Sequence, residues 1–500
     1  MKKLIISLLC VLCGSGPLFA SGEKLTLKDI TGGKFRAETL GHVVPSADGQ
    51  TCLQLSADGT RIEKLSFKTG KQVGTVFDVS TAKGSKIERI DGFLASPDGQ
   101  KLLVQTETKP VYRHSFTAVY YIFNIQNNRI EPLSDGGPQQ TPLWSPDGQQ
   151  VAFVREGNIF LVKLLYGNSE SQVTNDGKKN EVINGLPDWV CEEEFSHSRA
   201  MVFTADSRQL VWVRYDESQV REFPLMMFQG RSPRLEDNAD YPGLYWYKYP
   251  KAGQQNARLS LMSFDIKSRQ TRTLQLPLDD DGYIPRIVAT GDASKVAVFT
   301  LNRHQDLLRI YMANPMSTVC QLAVEDRVEK YINENVFANL VMTDQHLVLT
   351  SERDGYNRIY VYTLTGQLQR TIGDVEASAT HVLKPTAHTV VTQVYGLNEA
   401  NGDLYYAAHP QNPLQQRVYV ARKNGHIDCL TPGDGWHSAV FAKDFSAFIL
   451  TRSTLNTPPA VTLCDPKGDR WNAKGFAACI GNFDGVHRGH LHVINSLTQV

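Results

Sequence analysis

Ser96-Pro97-Asp98-Gly99-Gln100 runs directly into Lys101-Leu102-Leu103-Val104. Proline sets φ for a corner, aspartate bonds back to its own backbone, and glycine supplies a positive φ. The short apolar run behind the corner reads as a buried strand. The same pairing of corner and strand recurs along the chain. Trp144-Ser145-Pro146-Asp147-Gly148 precedes Val151-Ala152-Phe153-Val154, and Ala205-Asp206-Ser207 precedes Leu210-Val211-Trp212-Val213. Gly291-Asp292-Ala293 precedes Val296-Ala297-Val298-Phe299, and Lys443-Asp444-Phe445-Ser446 precedes Phe448-Ile449-Leu450.

The first corners, at Asp48, Asp98 and Asp147, are spaced by about fifty residues, and a strand-only repeat of that length is the signature of a β-propeller blade. Patterns of helical period are scarce between Leu40 and Asp465. The chain is therefore predicted to be all-β, with a propeller over residues 41–470. Its length divided by the period gives about eight blades, although the looser spacing after Asp206 also admits seven. Residues between Tyr241 and Gly253 fit an insertion, as a loop or a blade extension.

The remaining bounds come from composition and the two ends. The 500 residues are 41% hydrophobic with a formal net charge of zero, enough apolar content for a large core. No basic surplus is present, which argues against nucleic acid as a partner. Lys2 and Lys3 precede a short apolar core from Leu4 to Leu12, broken by Gly14 to Pro17, with Ala20 as the cleavage residue. This reads as a signal peptide over 1–20, placing the protein in the periplasm or outside the cell with no stable membrane span. Residues 21–40 form an N-terminal segment between the signal and the propeller. After cleavage six cysteines remain, Cys52, Cys191, Cys320, Cys429, Cys464 and Cys479, without a CxxC pair. One or two disulfides are compatible with export, and neither a metal site nor a cofactor is expected.

The chemistry-bearing stretch is Asp188-Trp189-Val190-Cys191-Glu192-Glu193-Glu194-Phe195. Three consecutive carboxylates with apolar flanks are held by packed backbone on both sides. A protonated amine offers three donors and carboxylates only accept, so two converging acids suit an amine. Neighbours on a strand point opposite ways, so convergence of Glu193 and Glu194 requires a helical turn or irregular backbone here. An unpaired couple of carboxylates would repel, and a nearby arginine would relieve them.

Together with Tyr112-Arg113-His114-Ser115-Phe116, Tyr249-Pro250-Lys251-Ala252-Gly253, Leu301-Asn302-Arg303 and Ser351-Glu352-Arg353-Asp354-Gly355-Tyr356, this stretch resembles dipeptidyl peptidase IV of the prolyl-oligopeptidase class. The resemblance spans about residues 24–470, with Cys191 where that family usually has tyrosine. It implies an eight-bladed propeller followed by an α/β-hydrolase domain. It also implies removal of dipeptides from peptide N-termini, and family members are commonly homodimers. Glu193 and Glu194 map to the glutamates that grip the substrate amine. Arg113 maps to an arginine that contacts a substrate carbonyl and orients the acids.

The serine-peptidase elbow Gly-x-Ser-x-Gly is absent from the 500 residues, so no catalytic residue is assigned. The expectation is a truncated member of the family: a propeller without its hydrolase domain. A secreted peptide- or protein-binding propeller is the alternative. Residues 471–500 have another texture, a strand at Phe476 to Ile480 followed by Gly481-Asn482-Phe483-Asp484-Gly485-Val486-His487-Arg488-Gly489-His490 and a helical pattern. They resemble the opening of bacterial riboflavin kinase/FAD synthetase, whose His-x-Gly-His histidines contact ATP phosphates. By that resemblance His487, Gly489 and His490 would be a vestigial nucleotide site. The match is too short to carry FMN adenylyl transfer, and an export signal argues against a function that needs cytoplasmic ATP and FMN.

Overall fold

The computed structural model describes residues 26–32, 43–228, 238–373, 390–410, 412–468 and 478–479. Among these residues, eight antiparallel sheets follow one another along the chain as blades one to eight. They span residues 43–78, 92–132, 140–172, 182–273, 283–327, 341–372, 390–429 and 436–479. Seven are four-stranded meanders. Blade four has a fifth short strand and an inserted two-stranded hairpin, Glu222–Met227 with Gly243–Lys248. That hairpin is the extension expected near Tyr241. The count settles at eight.

Each corner is a small hydrogen-bonded unit. Ser96 Oγ donates to Asp98 Oδ1 at 2.5 Å, and Oδ1 also accepts the Gln100 amide at 3.0 Å. The Lys101 amide returns to Ser96 Oγ at 2.9 Å, and Gly99 has φ +67°. Ser145 and Asp147 repeat the pattern at 2.6 Å, and Thr204 with Asp206 does so at 2.7 Å. The backbone is thus turned by 180° with its polar groups satisfied inside the corner.

The strands behind these corners are apolar at successive positions because both faces are covered. Leu102 and Val104 pack against blade one, while Leu103 packs against blade three. Val151 and Phe153 meet blade two, and Ala152 and Val154 meet blade four. Side chains alternate across a strand, so one four-residue run serves two interfaces. Every neighbouring pair of blades shares such a cluster. The last pair, eight and one, is joined by Ala442, Ala447, Ile449, Val461 and Leu463 against Cys52 and Phe67, which closes the ring.

Ala478–Cys479, read from sequence as part of an α/β opening, pairs with Val461 and Ala460 as the outer strand of blade eight. The helix Leu27–Thr31 in the N-terminal segment buries none of its residues. Cys52, Cys191, Cys320 and Cys429 are free thiols and form no disulfide with one another. No helix of the described residues is long and apolar enough to cross a membrane.

Candidate functional site

The acidic stretch is a seven-residue helix, Trp189–Phe195, between the first two strands of blade four. Asp188 caps it by accepting the Cys191 amide at 2.9 Å. At the other end Ser196 turns into the left-handed region at φ 52°, and Arg286 Nη2 from blade five donates to the Phe195 carbonyl at 2.6 Å. A carboxylate at the N-terminus and a guanidinium at the C-terminus both oppose the helix dipole. Cys191 and Phe195, one turn apart, face the core.

Helical rotation gives the three glutamates three different fates. Glu192 turns inward and is 3% exposed. Its Oε1 accepts the backbone amides of His114 at 2.9 Å and Ser115 at 2.8 Å. These amides lie at the tip of the blade-two hairpin formed by Lys101–Pro110 and Phe116–Asn124. Anchoring that tip presents Arg113 to Glu193. Arg113 Nε lies 2.8 and 3.0 Å from the two Glu193 oxygens, and Nη2 lies 2.7 Å from Oε1. The bond to Glu193 raises the Arg113 pKa above its ordinary value. Glu194 points outward, with no hydrogen-bond partner for its carboxylate among the described residues.

Aromatic side chains wall one side of the helix. Trp189 lies 4.4 Å from Tyr249 and 5.6 Å from Tyr247, between ring centroids. Tyr112, beside Arg113, reaches Tyr247 at 6.2 Å. Tyr247 and Tyr249 belong to the end of the inserted hairpin, so the insertion braces the helix and the arginine loop together. Burial raises the Tyr247 phenol, with the charges of Tyr249 and Glu193 adding.

Behind the helix, Asp188 and Glu217 are 7% and 5% exposed. Burial pushes the Glu217 carboxyl up to about 8, and the Asp188 charge pushes the same way, with Lys248 opposing. Burial also raises Asp188.

Three of the sequence-predicted residues are thus in one place. Arg113 and Glu193 are in direct contact although 80 positions apart, and Glu194 is adjacent. His487, Gly489 and His490 lie outside the described residues. The role of Glu192 was missed because a run of like residues gives no hint of which one turns inward. The available signal was the i, i+4 pair Cys191 and Phe195, which fixes the buried face of a helix. Two other motif segments meet each other: Arg303 Nη2 donates to the Gln254 carbonyl, just after the Tyr249 to Gly253 segment, at 2.9 Å.

Comparison with known proteins bears on the fold and the family. Residues 96–459 match the family model described as Dipeptidyl peptidase IV (DPP IV) N-terminal region. The crystal structure of Porphyromonas gingivalis dipeptidyl peptidase 4 is similar with a TM-score of 0.82 and 34% identity, covering 90% of this chain and 62% of that one. Two fungal relatives are each named probable dipeptidyl-aminopeptidase B. The Podospora anserina protein is 28% identical over 470 residues, covering 88% of this chain and 50% of its own length. The Emericella nidulans protein is 32% identical over 447 residues, covering 81% and 46%. The chain spans about half the length of the curated relatives it matches. With the family model covering blades three to seven and parts of blades two and eight, the chain belongs to the dipeptidyl peptidase IV family and carries its N-terminal propeller region.

Proposed function

We propose that this propeller recognises the free N-terminus of peptides and is the recognition half of an exported dipeptidyl peptidase. Glu193 and Glu194 together accept the protonated α-amine. The observation that carries this reading is their unequal state on one rigid helix. Glu193 is already oriented by Arg113, while Glu194 is exposed and free to accept. An incoming ammonium adds a third charge to an arranged site, and charge-assisted bonds to it are stronger than neutral ones. Arg113 spends Nε and Nη2 on Glu193, which leaves Nη1 to reach a substrate carbonyl.

In this proposal the propeller supplies peptide recognition, and no cleavage step is assigned to these 500 residues, which hold no Gly-x-Ser-x-Gly elbow. It is exported by its N-terminal signal, and the His487 to His490 stretch adds no second activity. A second copy docks through the inserted hairpin, where Leu225, Met226, Leu244 and Trp246 are exposed. Calorimetry with a short peptide and its N-acetylated form tests the reading. Binding that is lost on acetylation supports it, and equal affinities overturn it.

A further inference from the structure

We propose that the lumen beside the acidic helix contains an oxyanion site built from His197, Arg199 and Arg286, which takes a peptide carboxylate or a free phosphate. The site is independent of the amine reading, since none of its three residues contacts Glu193 or Glu194.

The chain leaves the helix at Ser196 in the left-handed conformation and turns into a cavity of about 610 Å³ lined by residues of blades one to five. His197, Arg199 and Arg286 line it, with Gln105, Tyr120 and Asp91 among the facing residues. Arg286 is fixed in orientation, donating through Nη1 to the Pro285 carbonyl at 2.7 Å and through Nη2 to Phe195 at 2.6 Å. Neither arginine has a carboxylate within ion-pairing distance among the described residues. Asp91 is committed elsewhere, accepting the Thr108 amide at 3.0 Å. His197 Nδ1 lies 3.3 Å from the Arg199 carbonyl, so it carries the proton in the neutral ring. Nε2 is then a bare acceptor, buried and without a partner.

Two of these are costly alone: Arg286 is half-buried without a counter-charge, and the buried, unpaired Nε2 of His197 lacks a hydrogen bond, while Arg199 adds a second unpaired guanidinium on the exposed side of the cavity. One oxyanion relieves all three, because its oxygens accept from both guanidinium groups and from Nε2 once that atom is protonated. The groups facing His197 are Arg199 on its own segment, Arg286 from blade five, His114 from the blade-two hairpin and Asp91 across the lumen. The electrostatics follow this inventory. Burial, then the charges of Arg286 and His114, push His197 down to about 3. Burial brings Arg286 down to about 10. A bound oxyanion favours the protonated ring, so binding raises the proton affinity of Nε2.

The test is a histidine-resolved NMR titration of the full chain at constant ionic strength, with sodium phosphate against sodium chloride. A parallel arm uses N-acetyl-triglycine against its C-terminal amide. Phosphate, or the acetylated peptide with a free carboxylate, is expected to raise the proton affinity of His197 by about tenfold or more. The response of one probe rather than the other identifies the source. Arg199→Gln should abolish the effect with an unchanged circular dichroism spectrum. Should that variant not fold, Arg199→Lys keeps the charge, loses the planar fork, and should weaken binding several-fold. A His197 titration unmoved by both probes overturns the proposal, as does a response that survives in both Arg199 variants.

Discussion

Glu192 holds Ser115 by its backbone: one buried carboxylate oxygen accepts the Ser115 amide at 2.8 Å and the His114 amide beside it. The contact joins blade four to blade two and sets the position from which Arg113 reaches Glu193. Glu192→Ala leaves one buried and one part-buried amide without their acceptor and should cost about 2–6 kcal/mol, from roughly 1–3 for each unsatisfied group. Glu192→Gln keeps an acceptor and loses only the charge, so about 1 kcal/mol is expected. Urea unfolding of the two variants checks the order. A Glu192→Ala loss within about 0.5 kcal/mol would mean the tip is held by something else.

The Arg113–Glu193 pair should behave in the opposite way. Arg113 is 69% exposed, so Arg113→Ala should change stability by about 0–1 kcal/mol. Peptide binding, by contrast, should fall with Arg113→Ala and with Glu194→Gln. For Glu194→Gln the loss is expected at about tenfold or more, the weight of a charge-assisted bond. Calorimetry with an unblocked peptide reads this, and unchanged affinity in Glu194→Gln removes that residue from the amine site.

Two buried groups give the stability profile two limbs. Glu217 is raised from 4.5 to about 8, so above its ordinary value the folded protein keeps a proton the unfolded chain has lost. Its contribution is full below the ordinary value and disappears as pH rises through the folded one. His197 is depressed from 6.5 to about 3, so its contribution is present above the ordinary value and disappears as pH falls toward the folded one. Glu217→Gln should therefore flatten the alkaline limb, and His197→Gln the acid limb. Melting temperature against pH for both variants decides, and a profile identical to wild type in either refutes that assignment.

The corners offer a test free of packing effects. A Cβ on Gly99 would lie 3.7 Å from the Ala47 Cβ, an ordinary contact, yet φ is +67°. Gly99→Ala should then cost about 1–2 kcal/mol from backbone strain alone, with Gly99→Asn costing less. At Gly366 a Cβ would lie 1.8 Å from the Ala323 carbonyl oxygen, so Gly366→Ala should be the more damaging change. Denaturant midpoints of the three variants give the ranking.

Docking of a second copy through the inserted hairpin predicts a charge-sensitive dimer. Met226→Glu or Leu244→Glu should shift sedimentation toward the monomer while the peptide affinity stays the same. A single species of unchanged mass in wild type and both variants would remove the hairpin from the interface.

Much of the fold was legible because the corner motif is local. Serine, aspartate and a positive-φ residue lie within four positions, and Leu102, Leu103 and Val104 show by their unbroken apolarity that two neighbours are present. The insertion after Glu217 was legible only as irregular spacing, since its pairing partner lies across residues with no repeat. The site was legible in part. Apolar flanks marked Glu193 and Glu194, whereas their link to Arg113 crosses 80 positions and came only through the family likeness. Arg286, His197 and Arg199 had no local signature, because a lumen is assembled from separate blades. The strand at Ala478–Cys479 was misplaced because its neighbours carry a glycine-rich pattern of another kind, while the edge of blade eight offers it a ladder.

Each blade is a continuous stretch of chain, and the ring is shut by side chains between blades eight and one. Hydrogen-bonded pairing therefore stays local, and low contact order favours fast, sequential formation of blades. Among the described residues the final seam joins segments about 390 residues apart, and closure entropy grows slowly with that length. The seam made by Cys52, Phe67, Ile449 and Leu463 is thus the last joint to form and the first through which the ring would part under force or denaturant. Hydrogen exchange should find its flanking strands opening ahead of the other blades.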